Sequence, residues 1–323
     1  LSQPESRLVT LAPGLRRLRA DNPSPMTFTG TNTYLLGTKR LAVIDPGPAD
    51  PAHIDAILRA LEPGQEIAHI FVTHAHVDHS PGARLLQEQC GAPIYAYGSA
   101  YSGLSRVMTR RRAQGLDLGM DGGVDRMFYP DHPLKTGDVI EEEDWSLEAH
   151  HTPGHLPNHM CFLWREPMAL FTGDHIMGWA TSMIAPPEGD WKPYQVALKR
   201  IAKRTDLTCG YAGHGEPIED VSARAQTLHV HRRMRARQVD IALCDGPVTP
   251  MAFARATYND TPEVLIPAAA CNVLAYLLWL EEEKLIVAQG PLGLETVFER
   301  LVPPEHWLRD DLVKRLERLQ AQL

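Results

Sequence analysis

Cysteine, positive charge and long apolar runs are all scarce in this 323-residue chain, and each shortage closes a class of function. The five cysteines, Cys90, Cys161, Cys209, Cys244 and Cys271, are odd in number, far apart and without a Cys-x-x-Cys pair. That excludes a disulfide scaffold and fits small buried thiols in a reducing compartment. Lys and Arg total 32 against 40 Asp and Glu, a net charge of -8, which excludes a generally basic nucleic-acid coat. The first 25 residues hold several arginines but no continuous apolar core, so no signal peptide is read there. The longest apolar stretch, Val264 to Leu280, is broken by Pro267 and Asn272 and falls short of the ~20 residues a spanning helix needs. The expectation is a soluble, cytoplasmic protein with no membrane partner; homo-oligomerisation stays open.

Histidine is what the chain has in excess: 15, against 7 Phe. Hydrophobic residues make up 44% and charged ones 22%, the balance of a globular protein. The length allows one large domain or two ordinary ones.

Residues 1–220 read as alternating strands, loops and helices, hence α/β or α+β. Leu41 to Ile44 is a short apolar run stopped by Asp45-Pro46-Gly47. Pro51 then opens a helix with Ile54, Ile57, Leu58 and Leu61 at helical spacing. Ile70 to Val72 reads as a buried strand and Ser80 to Gln89 as a helix. Further strands are expected at 94–97, 145–149, 161–164, 169–172 and 207–211. Tyr101 to Asp131 reads as a charged surface excursion, with Arg106, Arg110, Arg111 and Arg112 either on a solvated face or in a phosphate-contacting patch. Residues 221–323 change character. A basic helix through His231 and Arg237, a short helix from Pro250, a long helix from Pro267 and a hairpin turning at Gly290-Pro291 make the winged-helix pattern. A last amphipathic helix is expected over Asp310 to Leu323.

The decisive segment is Thr73-His74-Ala75-His76-Val77-Asp78-His79, between the expected strand and helix. Unpartnered buried histidines cost desolvation, so their crowding needs a reason. Imidazole and carboxylate donors suit Zn(II), and also Fe or Mn. His155, Asp174 and His214 each follow a strand and sit beside a glycine, where the backbone turns tightly.

His-x-His-x-Asp-His followed by His, Asp and His resembles the metallo-β-lactamase superfamily, over residues 26–220. The resemblance implies an αββα sandwich with metals at one edge of the two sheets. It implies His74, His76 and His155 on a first ion, Asp78, His79 and His214 on a second, and Asp174 bridging. An aspartate at 174 fits glyoxalase II, lactonases and ribonuclease Z-like enzymes better than antibiotic hydrolysis. With Gly30-Thr31-Asn32-Thr33-Tyr34-Leu35 and the winged-helix pattern, the chain is similar to the β-lactamase-like protein 2 group, which includes single-strand endoribonucleases. Fungal thioesterases acting on carrier proteins are similar too.

The implied chemistry is a dinuclear hydrolase using a metal-bridging hydroxide, with Asp78 and Asp174 holding and orienting it. An ester or thioester is the leading substrate and single-stranded RNA the alternative. A β-lactamase, an Fe-dependent oxygenase and a non-catalytic metal-binding regulator rank below these. His159 is read as standing behind the ligands, orienting one or contacting Asp174. His53, His69, His132, His150, His151, His175, His229, His231 and His306 receive no ligand role. Met177 to Tyr194, with Trp179, Met183, Trp191 and Tyr194, is read either as a packed loop or as an apolar wall of the substrate site. Residues 221–323 carry a net charge of -1, and the candidate recognition helix is apolar, so specific DNA binding is not expected and the region is read as a packing or substrate-gating module.

Overall fold

The computed structural model describes residues 8–119 and 123–301. The expected last helix and His306 lie outside the described residues. The first sheet runs β1 (Leu8–Ala12), β2 (Leu15–Arg19), β3 (Asn32–Leu36), β4 (Arg40–Ile44), β5 (Glu66–Phe71), β6 (Ile94–Ala96) and β7 (His132–Pro133), in that spatial order. It is antiparallel from β1 to β4 and parallel from β4 to β7. The parallel crossovers use α1 (Pro51–Arg59), capped by Asp50 with proline in its first turn, and α2 (Gly82–Cys90), stopped by Gly91 in the left-handed conformation. α3 (Arg106–Ala113) lies in the excursion before β7.

The second sheet takes β8 (Val139–Glu141), β9 (Ser146–His151), β10 (Met160–Trp164), β11 (Ala169–Gly173) and β12 (Gly210–Ala212), with α4 (Trp191–Ala202) between the last two. β11 and β12 are parallel; the other pairs are antiparallel. The two sheets close on one another through Tyr34, Ile44, Phe71, Trp145, Phe162 and Phe171. Strand alternation sends the neighbouring side chains outward. Leu41 and Val43 meet α1 and α2, while Cys161 and Leu163 meet the helices of the opposite face. The result is the expected helix–sheet–sheet–helix sandwich. The N-terminal strands β1 to β3 had little sequence signal, being short, with Thr, Arg or Asn set among the leucines.

The C-terminal region is α5 (Val221–Asp245), α6 (Pro250–Thr257), a 3₁₀ turn, α7 (Ile266–Glu282) and the hairpin β13 (Ile286–Gln289) with β14 (Val297–Arg300). It does not stand apart. One hydrophobic core runs from Leu163 and Leu170 of the second sheet through Leu198 and Leu228 to Leu274, Leu277 and Phe298. Contrary to the expectation from its Pro267 and Asn272, the stretch Glu263–Glu282 is long and apolar enough to cross a membrane by length and composition alone, because the helix runs on through both residues. Here that apolarity has another use: α7 is enclosed, with its whole run from Val273 to Leu280 buried.

α5 and α7 are also joined by a buried polar contact. The Tyr276 hydroxyl donates to Asp240 Oδ1 at 2.8 Å. Burial pushes the Asp240 carboxyl up to about 6, opposed by the Tyr276 hydrogen bond and by Arg237. The folded chain therefore holds this proton more tightly than the unfolded one, where an Asp titrates near ~3.9. Stability from this group falls as pH rises through that interval and stays low above it. Asp240→Asn keeps an acceptor for Tyr276 and removes the charge. The variant should be more stable than the parent by about 2 kcal/mol at neutral pH, with the gap closing near pH ~4. Denaturant unfolding at several pH values checks this, and an unchanged gap across the range would refute it.

Candidate metal centre

The C-terminal ends of β4, β5, β9, β11 and β12 meet at one edge of the sandwich, because β4 and β5 run parallel, as do β11 and β12. Each end delivers a polar side chain on the following loop. β5 delivers Thr73 to His79, β9 delivers His155, β11 delivers Asp174 and β12 delivers His214.

Two donor clusters form. In the first, His74 Nε2 and His155 Nε2 lie 2.9 and 3.0 Å from His76 Nδ1, with Asp174 beside them. In the second, His79 Nε2 and His214 Nε2 lie 3.2 and 3.3 Å from Asp78 Oδ2. Asp174 stands between. Its Oδ2 is 3.7 Å from His155 Nε2 and 3.4 Å from His214 Nε2, and its Oδ1 is 3.5 Å from His79 Nε2. The structure thus brings together all of His74, His76, Asp78, His79, His155, Asp174 and His214.

The far nitrogen of most of these rings is spoken for, which turns the other lone pair inward. His155 Nδ1 donates to Met183 O at 2.7 Å and His214 Nδ1 to Gly30 O at 3.3 Å. His79 Nδ1 donates to Asp45 Oδ2 at 2.9 Å. His74 Nδ1 reaches Thr73 Oγ1 at 2.9 Å, and that hydroxyl donates to Asp45 Oδ2 at 2.7 Å. Asp45, whose Oδ1 also accepts from Thr73 N, therefore steadies a ring in each cluster. Sequence reasoning gave it only the job of ending β4. The available signal was an acidic residue at a buried strand end before Pro-Gly. Thr31 was missed likewise; its hydroxyl donates to Asp78 Oδ2 at 2.9 Å.

His159 joins neither cluster. Its Nδ1 meets Thr152 Oγ1 at 2.8 Å and its Nε2 accepts the Asp174 backbone N–H at 3.2 Å. His151 stacks on Tyr97 with ring centres 3.7 Å apart, and His150 pairs with Glu148, both away from the clusters.

The electrostatics separate the clusters. Burial, reinforced by neighbouring rings, holds His74 well below the usual histidine range and His76 at about 3. These rings are neutral and offer lone pairs. Burial works against charge in the second cluster too, but Asp174 and Asp78 overcome it and lift His214 to about 9; the same carboxylates with Asp45 raise His79. Both Asp78 and Asp174 are held well below the carboxylate range by these rings, despite burial. A divalent cation binding at such rings would displace any protons they hold. Asp174 Oδ1 is buried yet accepts no hydrogen bond. A convergent nitrogen and oxygen set with such an orphaned oxygen fits divalent cations.

Beside His155 and Asp174 lies a cavity of about 300 Å³. Met26, Met177, Trp179 and Met183 line it from the catalytic side, and Tyr258, Leu265, Ala268, Ala269 and Asn272 from the C-terminal region. Phe28 stacks against Trp179 at 4.7 Å. Within the loop expected to be either packed or a wall, Trp179 and Met183 line the cavity. Trp191 and Tyr194 instead start α4 and point into the core.

Comparison with known proteins agrees with this construction. Residues 26–214 match the metallo-beta-lactamase superfamily, and residues 249–291 match the beta-lactamase associated winged helix domain. A lactamase-like protein adaB of Aspergillus niger is 35% identical, covering 85% of this chain and 82% of its own. An atrochrysone carboxyl ACP thioesterase, dmxR1 of Cryptosporiopsis sp., is 30% identical over 72% of this chain and 64% of its own. Among solved structures, a metallo-beta-lactamase family protein of Thermus thermophilus superimposes with a TM-score of 0.70 at 26% identity, covering 90% of this chain and 100% of its own. A beta-lactamase domain protein of Burkholderia ambifaria gives 0.74 at 20% identity, covering 93% and 95%, a likeness of fold. The chain belongs to the metallo-beta-lactamase superfamily, as a hydrolase carrying a winged-helix domain behind its catalytic sandwich.

Proposed function

We propose that the protein hydrolyses an ester or thioester bond to a neutral, apolar acyl group. The observation that carries this is the lining of the cavity beside His155 and Asp174. Among the described residues it holds no lysine or arginine, and apolar side chains outnumber the polar ones, which include Asp174, Asp260 and Asn272. A phosphodiester backbone needs cations there. Several arginines near the cavity are engaged elsewhere. Arg110 and Arg111 pair with Glu282 and Glu281 of α7. Arg224 donates to Met177 O and Ala180 O, and Arg232 to Ser182 O, bracing the cavity loop from behind. Two relatives named as atrochrysone carboxyl ACP thioesterases support the thioester branch.

In this reading His74, His76 and His155 would hold one divalent cation and Asp78, His79 and His214 a second, with Asp174 between the two clusters. Zinc suits the donor set, as do iron and manganese. Such a pair supplies an acidified water and a Lewis acid for the carbonyl. The chain's own residues do the rest. Asp78 and Asp174, anionic at neutral pH, accept hydrogen bonds from the attacking water and orient it. Asp45, Thr73 and Met183 O keep the rings aligned, and the cavity holds the acyl group dry beside them. The five unpaired cysteines support a reducing compartment, the cytoplasm. We place the seam between the catalytic and winged-helix domains at 220/221.

The test is a panel of thioesters, esters, a lactone, a lactam and single-stranded RNA, run on protein of measured metal content. Metal-dependent turnover of a thioester or ester is expected. Turnover of RNA alone, with binding that weakens steeply in salt, would overturn the reading.

A further inference from the structure

The winged-helix region reaches the reaction centre along one face of one helix. Leu265, at the end of the 3₁₀ turn, and Ala268, Ala269 and Asn272 of α7 all line the cavity, and their spacing of three, four and seven residues makes a single stripe. The opposite side of the helix, from Ala270 through Leu274 to Leu277, is sealed in the core. The stripe therefore rests on a packed support. It is also tied to the catalytic loop: Asn272 Oδ1 accepts from Ile184 N at 2.9 Å, and the neighbouring Met183 carbonyl is the one holding His155. Across the gap stand the flexible Met26, Met177 and Met183 and the Trp179 ring backed by Phe28. Methionine adapts to the shape presented to it, so the firm wall is the helical one, and its residues at 268 and 269 are small.

We propose that Leu265, Ala268 and Ala269 set the size of acyl group the enzyme accepts, so that substrate choice resides in the winged-helix domain. This rests on the ester or thioester reading above. A helix that in a DNA-reading winged helix would face a groove is turned inward here and used as a gauge.

Opposite substitutions test it. Ala268→Phe fills the cavity beside the wall and Leu265→Ala deepens it. The probes are non-hydrolysable thioethers bearing uncharged acyl-like groups of increasing length, read by tryptophan fluorescence and calorimetry, alongside kcat/KM for the matching thioesters. Ala268→Phe should weaken the longest probe relative to the shortest by about tenfold or more, the scale of a few lost methylene contacts. Leu265→Ala should shift the same ratio the other way. If both folded, metal-loaded variants keep the parental ratio, or the parent binds no probe in the series, the inference is overturned. If the binding ratios shift as expected but no thioester or ester turns over, the gauge stands and the hydrolase substrate reading falls.

Discussion

Asp174→Ala should cost the enzyme about 10³-fold or more in turnover, the scale of removing one preorganised charge from a reaction centre. The reason is its position. Among the described residues it is the one carboxylate within 4.0 Å of rings from both donor clusters, reaching His74, His79, His155 and His214. Its removal leaves His79 and His214 with Asp78 as the remaining carboxylate that both rings share. The second ion should then bind more weakly than the first. Metal analysis after gel filtration should show a lower ion content than the parent, with circular dichroism unchanged. A variant with parental metal content and parental turnover would show that Asp174 does not join the clusters.

The second large effect is expected from the smallest possible change. Gly213→Ala adds one carbon at a position whose backbone does not require glycine's left-handed freedom. The space is the obstacle. That carbon would collide with Asp174 Oδ1 and lie 2.6 Å from His79 Cε1. His79 cannot move aside without breaking its bond to Asp45. His79 is fully buried and held by Asp45, and the Asp174 backbone N–H is held by His159. The methyl should displace a donor by a fraction of an ångström to an ångström, a scale that costs about 10²-fold in rate. Metal affinity, followed by calorimetry, should fall with it, while the far-ultraviolet spectrum stays native. Parental affinity and rate in the alanine variant would mean that this edge is looser than described.

Much of the centre was legible because its residues are chemically odd. Three histidines and an aspartate within one strand-to-helix loop have no packing rationale, and the later His155, Asp174 and His214 repeat the same strand-end placement. The supporting residues were not legible, because their roles come from strand pairing. Asp45 meets Thr73 and His79 only because β4 and β5 run parallel and end together. Charge was legible as composition but misleading as surface. Arg232 read as part of a basic helix, and the fold turns it towards a carbonyl of the cavity loop. Trp191 and Tyr194 looked continuous with Trp179 and Met183. Asp190 caps α4 between them, and the chain beyond it follows a helix into the core.

The unbroken core beneath α4, α5 and α7 bears on how such proteins diversify. The winged-helix region is a recognisable unit when sequences are compared, yet its inner surface is moulded to one particular helix of the sandwich, with Trp191 wedged against Tyr276. It is not an interchangeable cartridge. A lineage acquiring a new specificity cannot import a foreign copy of this region without also inheriting, or re-evolving, the α4 face it sits on. Change by small steps at Leu265, Ala268, Ala269 and Asn272 is open to it, because those positions border the cavity.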